Sequence, residues 1–86
     1  MVTSILSYPN PTADKVVLNI NKINRAEAIN IMVSDLTGRT VVQNELIETK
    51  NETIAHSVDL SLLQKGMFII HVVIGEEKHS IKINKI

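Results

Sequence analysis

Apolar residues recur at every second position over most of the chain, the period of a half-buried β-strand. Val16, Leu18 and Ile20 alternate with Lys15, Val17 and Asn19, and Ile29, Ile31 and Val33 alternate with Ala28, Asn30, Met32 and Ser34. Thr40 to Ile47 is rich in β-branched residues but loses its alternation after Gln43. Thr53 to Val58 is a weaker strand, with Ile54, His56 and Val58 sharing one face. Further on, Phe68, Ile70, Val72 and Ile74 line one face of a strand whose other face carries Met67, Ile69, His71 and Val73. Apolar residues on both faces predict a central strand with cover on each side. Gly75-Glu76-Glu77-Lys78 reads as a four-residue loop into a last strand, His79 to Lys85. That loop pairs Ile74 with His79, Val72 with Ile81 and Ile70 with Ile83, placing apolar residues opposite one another, which a one-residue slip would undo.

The punctuation between these segments agrees with strands. Asp35-Leu36-Thr37-Gly38 fits a type I turn, with Asp at its first position and Gly at its fourth. Asp59 to Lys65 resembles a short helical turn ended by Gly66, with Leu60 and Leu63 directed at the core. Val2 to Thr12 holds both prolines, and residues 1–7 read as the remnant of a linker. Pro9 and Pro11 cannot donate ladder hydrogen bonds, so they should hold the leading segment extended and confine it to an edge. Short strands at this spacing predict a single all-β domain over 1–86, an immunoglobulin-like antiparallel β-sandwich of about seven strands.

Composition narrows the picture. At 86 residues the chain is one small domain whose hydrophobic gain barely exceeds its ordering entropy of about 1.5 kcal/mol per residue. Its core must be built from Ile, Val and Leu, because Tyr8 and Phe68 are the only aromatics. There is no Cys for a disulfide or a thiolate zinc site. Nine basic and nine acidic residues cancel and are dispersed, which leaves no footprint for nucleic acid. No apolar run approaches the ~20 residues of a membrane-spanning helix. Met1 to Ser7 lacks the features of a signal peptide, so an exported parent would carry that peptide elsewhere and the chain would be a fragment of it.

Candidate chemistry is sparse. His56, His71 and His79 are the only set suited to metal or acid–base work. In the expected register His71 and His79 face opposite sides of the last hairpin, so no metal and no cofactor is expected. Glu76-Glu77 lies in a loop, no Ser, His and Asp set carries a nucleophile signature, and Gly38 and Gly66 form no phosphate loop. The expectation is a module with no catalytic residues. A sugar-binding platform would have only Tyr8 and Phe68 to draw on, and these read better as a strand anchor and a core residue.

Five blocks, in order, resemble the C-terminal sorting domains of the type IX (Por) secretion system. They are Tyr8-Pro9-Asn10-Pro11-Thr12, Ile31 to Arg39 with its Asp-x-x-Gly turn, Val58-Asp59-Leu60-Ser61-Leu62-Leu63, Gly66-Met67-Phe68 and the strand after it, and the Lys-bearing segment His79 to Ile86. The resemblance spans nearly the whole chain. It departs modestly where Phe68 stands in place of a frequent Tyr and where His71 sits within the strand.

The resemblance implies a signal that directs an N-terminal cargo across the outer membrane, read by outer-membrane export machinery. It implies removal by a sortase-like protease and attachment of the cargo to the cell surface. The domain would then be exported, in the periplasm in transit to the surface or the medium, without inserting into a membrane. The implied recognition residues are Lys82, Lys85 and Ile86 of the last strand, with Pro9, Pro11, Asp35, Gly38, Gly66 and Phe68 as motif or structural positions. The competing reading is a fibronectin type III-like structural or adhesive spacer of a cell-surface protein.

Overall fold

The computed structural model describes residues 4–21, 28–48 and 53–86, without the side chains of residues 43–45 and 48. Among them are seven strands: β1 (Ser4–Tyr8), β2 (Lys15–Asn21), β3 (Ala28–Asp35), β4 (Thr40–Glu48), β5 (Thr53–Asp59), β6 (Gly66–Ile74) and β7 (Glu77–Lys85). They form a three-stranded sheet in the order β1-β2-β5 and a four-stranded sheet in the order β4-β3-β6-β7, every pairing antiparallel. The architecture is the expected immunoglobulin-like sandwich. Of residues 1–7, assigned above to a linker, Ser4 to Ser7 belong to β1, an edge strand paired with β2, and residues 1–3 lie outside the described residues.

The alternating residues meet between the sheets. Val16, Leu18 and Ile20 of β2 and Val58 of β5 pack against Ile29, Ile31 and Val33 of β3, Phe68, Ile70, Val72 and Ile74 of β6, and Ile83 of β7. Burying such a side chain contributes about 1.5–3 kcal/mol, which is how an almost purely aliphatic core holds a domain of this size. Leu60, fully buried, plugs one end of the core, and Leu63 packs against it while Leu62 is 98% exposed. The Asp59–Lys65 segment is a single turn closed by the Leu63 N–H donating to Leu60 O at 3.0 Å. Broken alternation after Gln43 has its cause in the β3–β4 register, which shifts between Ile31 and Val33 and again before Ser34. Extra residues in β4 bulge there, leaving both Val41 and Val42 half-buried.

Two expectations about β6 are corrected. Its outer face, with Met67, Ile69, His71 and Val73, is not covered by a further layer among the described residues; neighbouring strands shelter it only partly. The hairpin register is also two residues from the one expected: Ile74 pairs with Glu77, Val72 with His79, Ile70 with Ile81 and Phe68 with Ile83. The loop is Gly75-Glu76 alone. Gly75 has φ of +61° while Glu76, like every other described non-glycine residue, has negative φ, the signature of a type II′ turn with Gly first. A two-residue shift preserves which side chains face inward, so the hydrophobic pattern fits both registers equally.

Candidate recognition surface

Because the strands run up and down, the loops β1–β2, β3–β4 and β5–β6 emerge at one end of the sandwich, where β7 also ends. All five motif blocks reach this pole. Tyr8 to Thr12 leaves β1 there, Asp35 to Arg39 joins β3 to β4, Asp59 to Leu63 leaves β5, Gly66 opens β6, and Lys85 closes β7.

The β1–β2 loop does more than turn. Its Tyr8-Pro9 and Asn10-Pro11 peptide bonds are both cis, and the segment crosses from β1 to the free edge of β7. There Asn10 acts as a surrogate strand residue. Its Nδ2 donates to Lys82 O at 3.2 Å, and its Oδ1 accepts from Asn84 N–H at 3.1 Å. Thr12 continues the pairing through its backbone, its N–H donating to Asn84 O at 2.9 Å and its carbonyl accepting from Ile86 N–H at 2.8 Å. Buried Thr12 is held by its own hydroxyl, which donates to Lys15 O at 2.7 Å and accepts from Asp14 N–H at 3.2 Å. Prolines have no N–H to offer an edge, so the side chain between them supplies both donor and acceptor. Asn10 and Thr12 were therefore the functional positions in this block that sequence reasoning passed over for Pro9 and Pro11, which are exposed.

The β5–β6 turn is stitched to the same assembly. Leu60 N–H donates to Asp14 O at 2.8 Å, and Lys85 Nζ donates to Leu63 O at 3.2 Å. Lys85 is only 7% exposed. It is a structural tie across the pole, which corrects its expected place among the contact residues. Lys82 is exposed and Ile86 is 56% exposed, so these two do lie on the surface.

The remaining motif residues are architectural. Asp35 organises its turn: one carboxylate oxygen accepts from Thr37 N–H at 2.9 Å, Thr37 Oγ1 at 2.6 Å and Arg39 N–H at 3.0 Å, while the other lies 3.3 Å from Arg39 Nε. The Thr37 hydroxyl, then the backbone donors and the Arg39 charge, hold this carboxyl below the usual aspartate range. Asp59 is lowered likewise by its hydrogen bonds with Ser61, whose N–H donates to Oδ1 at 2.9 Å. Gly38 N–H donates to Asp35 O at 3.1 Å, as a three-residue hairpin loop requires. Gly66 has φ of +148° with open space where a Cβ would lie, so its requirement is conformational and not steric crowding. Phe68 is core.

Nor do the histidines converge. His71 lies on the outer face of the four-stranded sheet, its Nε2 2.7 Å from Ser34 Oγ, while His79 pairs with Glu77 at 3.1 Å on the inward-facing side of β7, and His56 belongs to the other sheet.

Nothing among curated proteins or solved structures matches this chain. A family model described as a secretion system C-terminal sorting domain matches residues 6–85, which takes in β2 to β7 whole and β1 from Leu6. With that match over nearly the whole sandwich, the chain belongs to the family of C-terminal sorting domains that serve as the export signal of the type IX secretion system.

Proposed function

We propose that the export machinery in the outer membrane reads this domain in its folded form, through the assembled pole and the β7 strand that leads to it. The observation that supports this is convergence: motif blocks spread from Tyr8 to Ile86 are tied into one surface by Asn10, Thr12, Asp14, Leu63 and Lys85. A chain still unfolded would present none of that surface. After passage from the periplasm to the cell surface, a sortase-like protease would remove the domain and attach the preceding cargo. The domain itself takes no part in chemistry; whatever activity the parent protein has lies in the cargo.

The test is an export assay in a bacterium that has this secretion system, with a signal peptide and fluorescent reporter fused ahead of the domain. Reporter at the surface or in the medium with the intact domain, and in the periplasm without Ile81 to Ile86, is the expected result. Equal export by an unfolded core variant such as Leu18→Asp would refute reading of a folded surface. Proteolytic removal is followed separately, as loss of the domain's mass from the surface-attached reporter.

A further inference from the structure

We propose that the half of the β7 edge from Lys78 to Lys82 accepts an extended acidic segment of the export machinery as an added strand; this rests on the sorting function above and names the chemistry of its partner. Strand β7 pairs with β6 on one side only, without a register shift from Gly66↔Lys85 to Ile74↔Glu77. Its even-numbered residues turn their backbone groups the other way, as the bonds of Lys82, Asn84 and Ile86 to the Asn10–Thr12 segment demonstrate. By the alternation of an antiparallel ladder, Lys78 and Ser80 each direct an N–H and a carbonyl outward, and Lys82 directs its N–H. That segment stops at the Lys82 carbonyl, and among the described residues nothing else pairs with these five groups, which lie on three exposed residues.

The side chains specify the partner. Lys78, Ser80 and Lys82 share the outer face of the sheet, and no described hydrogen bond or ion pair engages either ammonium group. An antiparallel strand added here sets one residue directly opposite each of the three. Carboxylates four residues apart on that strand would stand against Lys78 and Lys82 as cross-strand opposite-charge pairs. The residues between them would face half-buried Ile81 and His79, which suits small or apolar side chains. A second copy of the domain is a poor occupant, because two-fold pairing about Ser80 sets Lys78 against Lys82 twice. None of the other sheet edges, β1, β4 and β5, carries a lysine. The charge pattern therefore rejects self-pairing, a common use of edge lysines, while favouring an acidic strand.

The probe is an N-acetylated, C-amidated peptide, Glu-Val-Thr-Val-Glu, titrated into the isotope-labelled domain, with Lys-Val-Thr-Val-Lys as the control. Binding should shift the amide signals of Lys78, Ser80 and Lys82 and weaken about tenfold or more in Lys78→Glu/Lys82→Glu. That variant should in turn prefer the lysine peptide. Ser80→Pro removes an outward N–H without touching the β6 pairing and should abolish binding. Should Ser80→Pro fail to fold, the charge-reversed variant decides, since both of its sites are exposed. Shifts confined to other surfaces, undiminished binding by the charge-reversed variant, or concentration-dependent dimerisation through β7 would each overturn the proposal. In the export assay, a wild-type domain that exports its reporter alongside a folded, charge-reversed domain that does so equally well would overturn the edge and leave the sorting function standing. Failure of the wild-type domain to export would count against sorting, and the titration would still decide the edge.

Discussion

Asn10→Ala isolates the contribution of the side chain that bridges the start of the domain to its last strand. The substitution removes two hydrogen bonds, to Lys82 O and from Asn84 N–H, and leaves the backbone pairing of Thr12 with Asn84 and Ile86 in place. Both lost bonds are exposed, so the freed backbone groups hydrate and no buried-group penalty is added. At about 0.5–1 kcal/mol for each neutral bond, the loss should be about 1–2 kcal/mol. For a domain of this size that lowers Tm by roughly 4–12 °C. Urea titration followed by circular dichroism gives the total, with the midpoint falling at constant slope. Hydrogen exchange gives the location: the Asn84 amide should lose protection, while amides of the β3–β6 ladder change only with global stability. Asn10→Asp keeps the acceptor for Asn84 N–H and should fall between wild type and Asn10→Ala. An Asn10→Ala protein with wild-type stability and an equally protected Asn84 amide would refute the bridging role.

Other perturbations test the pole residue by residue. Gly66→Ala forces an L-residue to φ near +148° and should destabilise by about 1–3 kcal/mol in the same titration, despite the open space around it. Lys85→Ala removes a charge-assisted bond to Leu63 O and should cost about 1.5–3 kcal/mol, whereas Lys82→Ala should change stability by less than about 0.5 kcal/mol; equal effects would contradict the opposite placements of these lysines. The Asp35 carboxyl is depressed in the folded state, so its stabilising contribution is present above its ordinary pKa near 3.8 and is lost as pH falls below that value. Acid titration of Asp35→Asn should therefore show a shallower loss of stability than wild type on going below about pH 3.8, with little difference between the two slopes at pH 6–8.

The strands were legible because period two is a strong signal and nearly every core residue lies on it. The registers were legible only modulo two. Moving the β6–β7 pairing by two residues keeps Phe68, Ile70, Val72 and Ile74 inward, so only the turn chemistry of Gly75 separates the two registers. The lysines hold a plainer lesson. Lys82 and Lys85 are three residues apart, and in a strand an odd spacing sends side chains to opposite faces. Grouping them as one recognition set overlooked that Lys85 shares its parity with Ile81 and Ile83, which face the core side. Asn10 and Thr12 escaped notice for a different reason. Their partners on β7 and at Ile86 lie more than 70 residues away in sequence, and no local periodicity encodes such a contact.

The Asn10–Thr12 segment also bears on how an added strand would find its register. An open edge with alternating side chains lets an incoming strand slide by two residues at little cost, because parity and hydrogen bonding are both restored after each step. Here one direction of sliding is stopped. The Lys82 carbonyl and both backbone groups of Asn84 are already bonded, so a strand that moved past Lys82 would have to displace Asn10 and then Thr12. In the other direction the edge ends at the Gly75-Glu76 turn, just before Glu77. An edge bounded at both ends and marked by a lysine near each limit admits one register for a pair of carboxylates four residues apart. It follows that Asn10→Ala should broaden specificity as well as lower stability. In the mutant, Glu-Val-Thr-Val-Glu extended by two residues at its N-terminus should gain affinity relative to the five-residue peptide, because the Lys82 carbonyl and the Asn84 N–H become available together. An unchanged preference in the same amide titration would show that the segment covers the edge without setting where a partner stops.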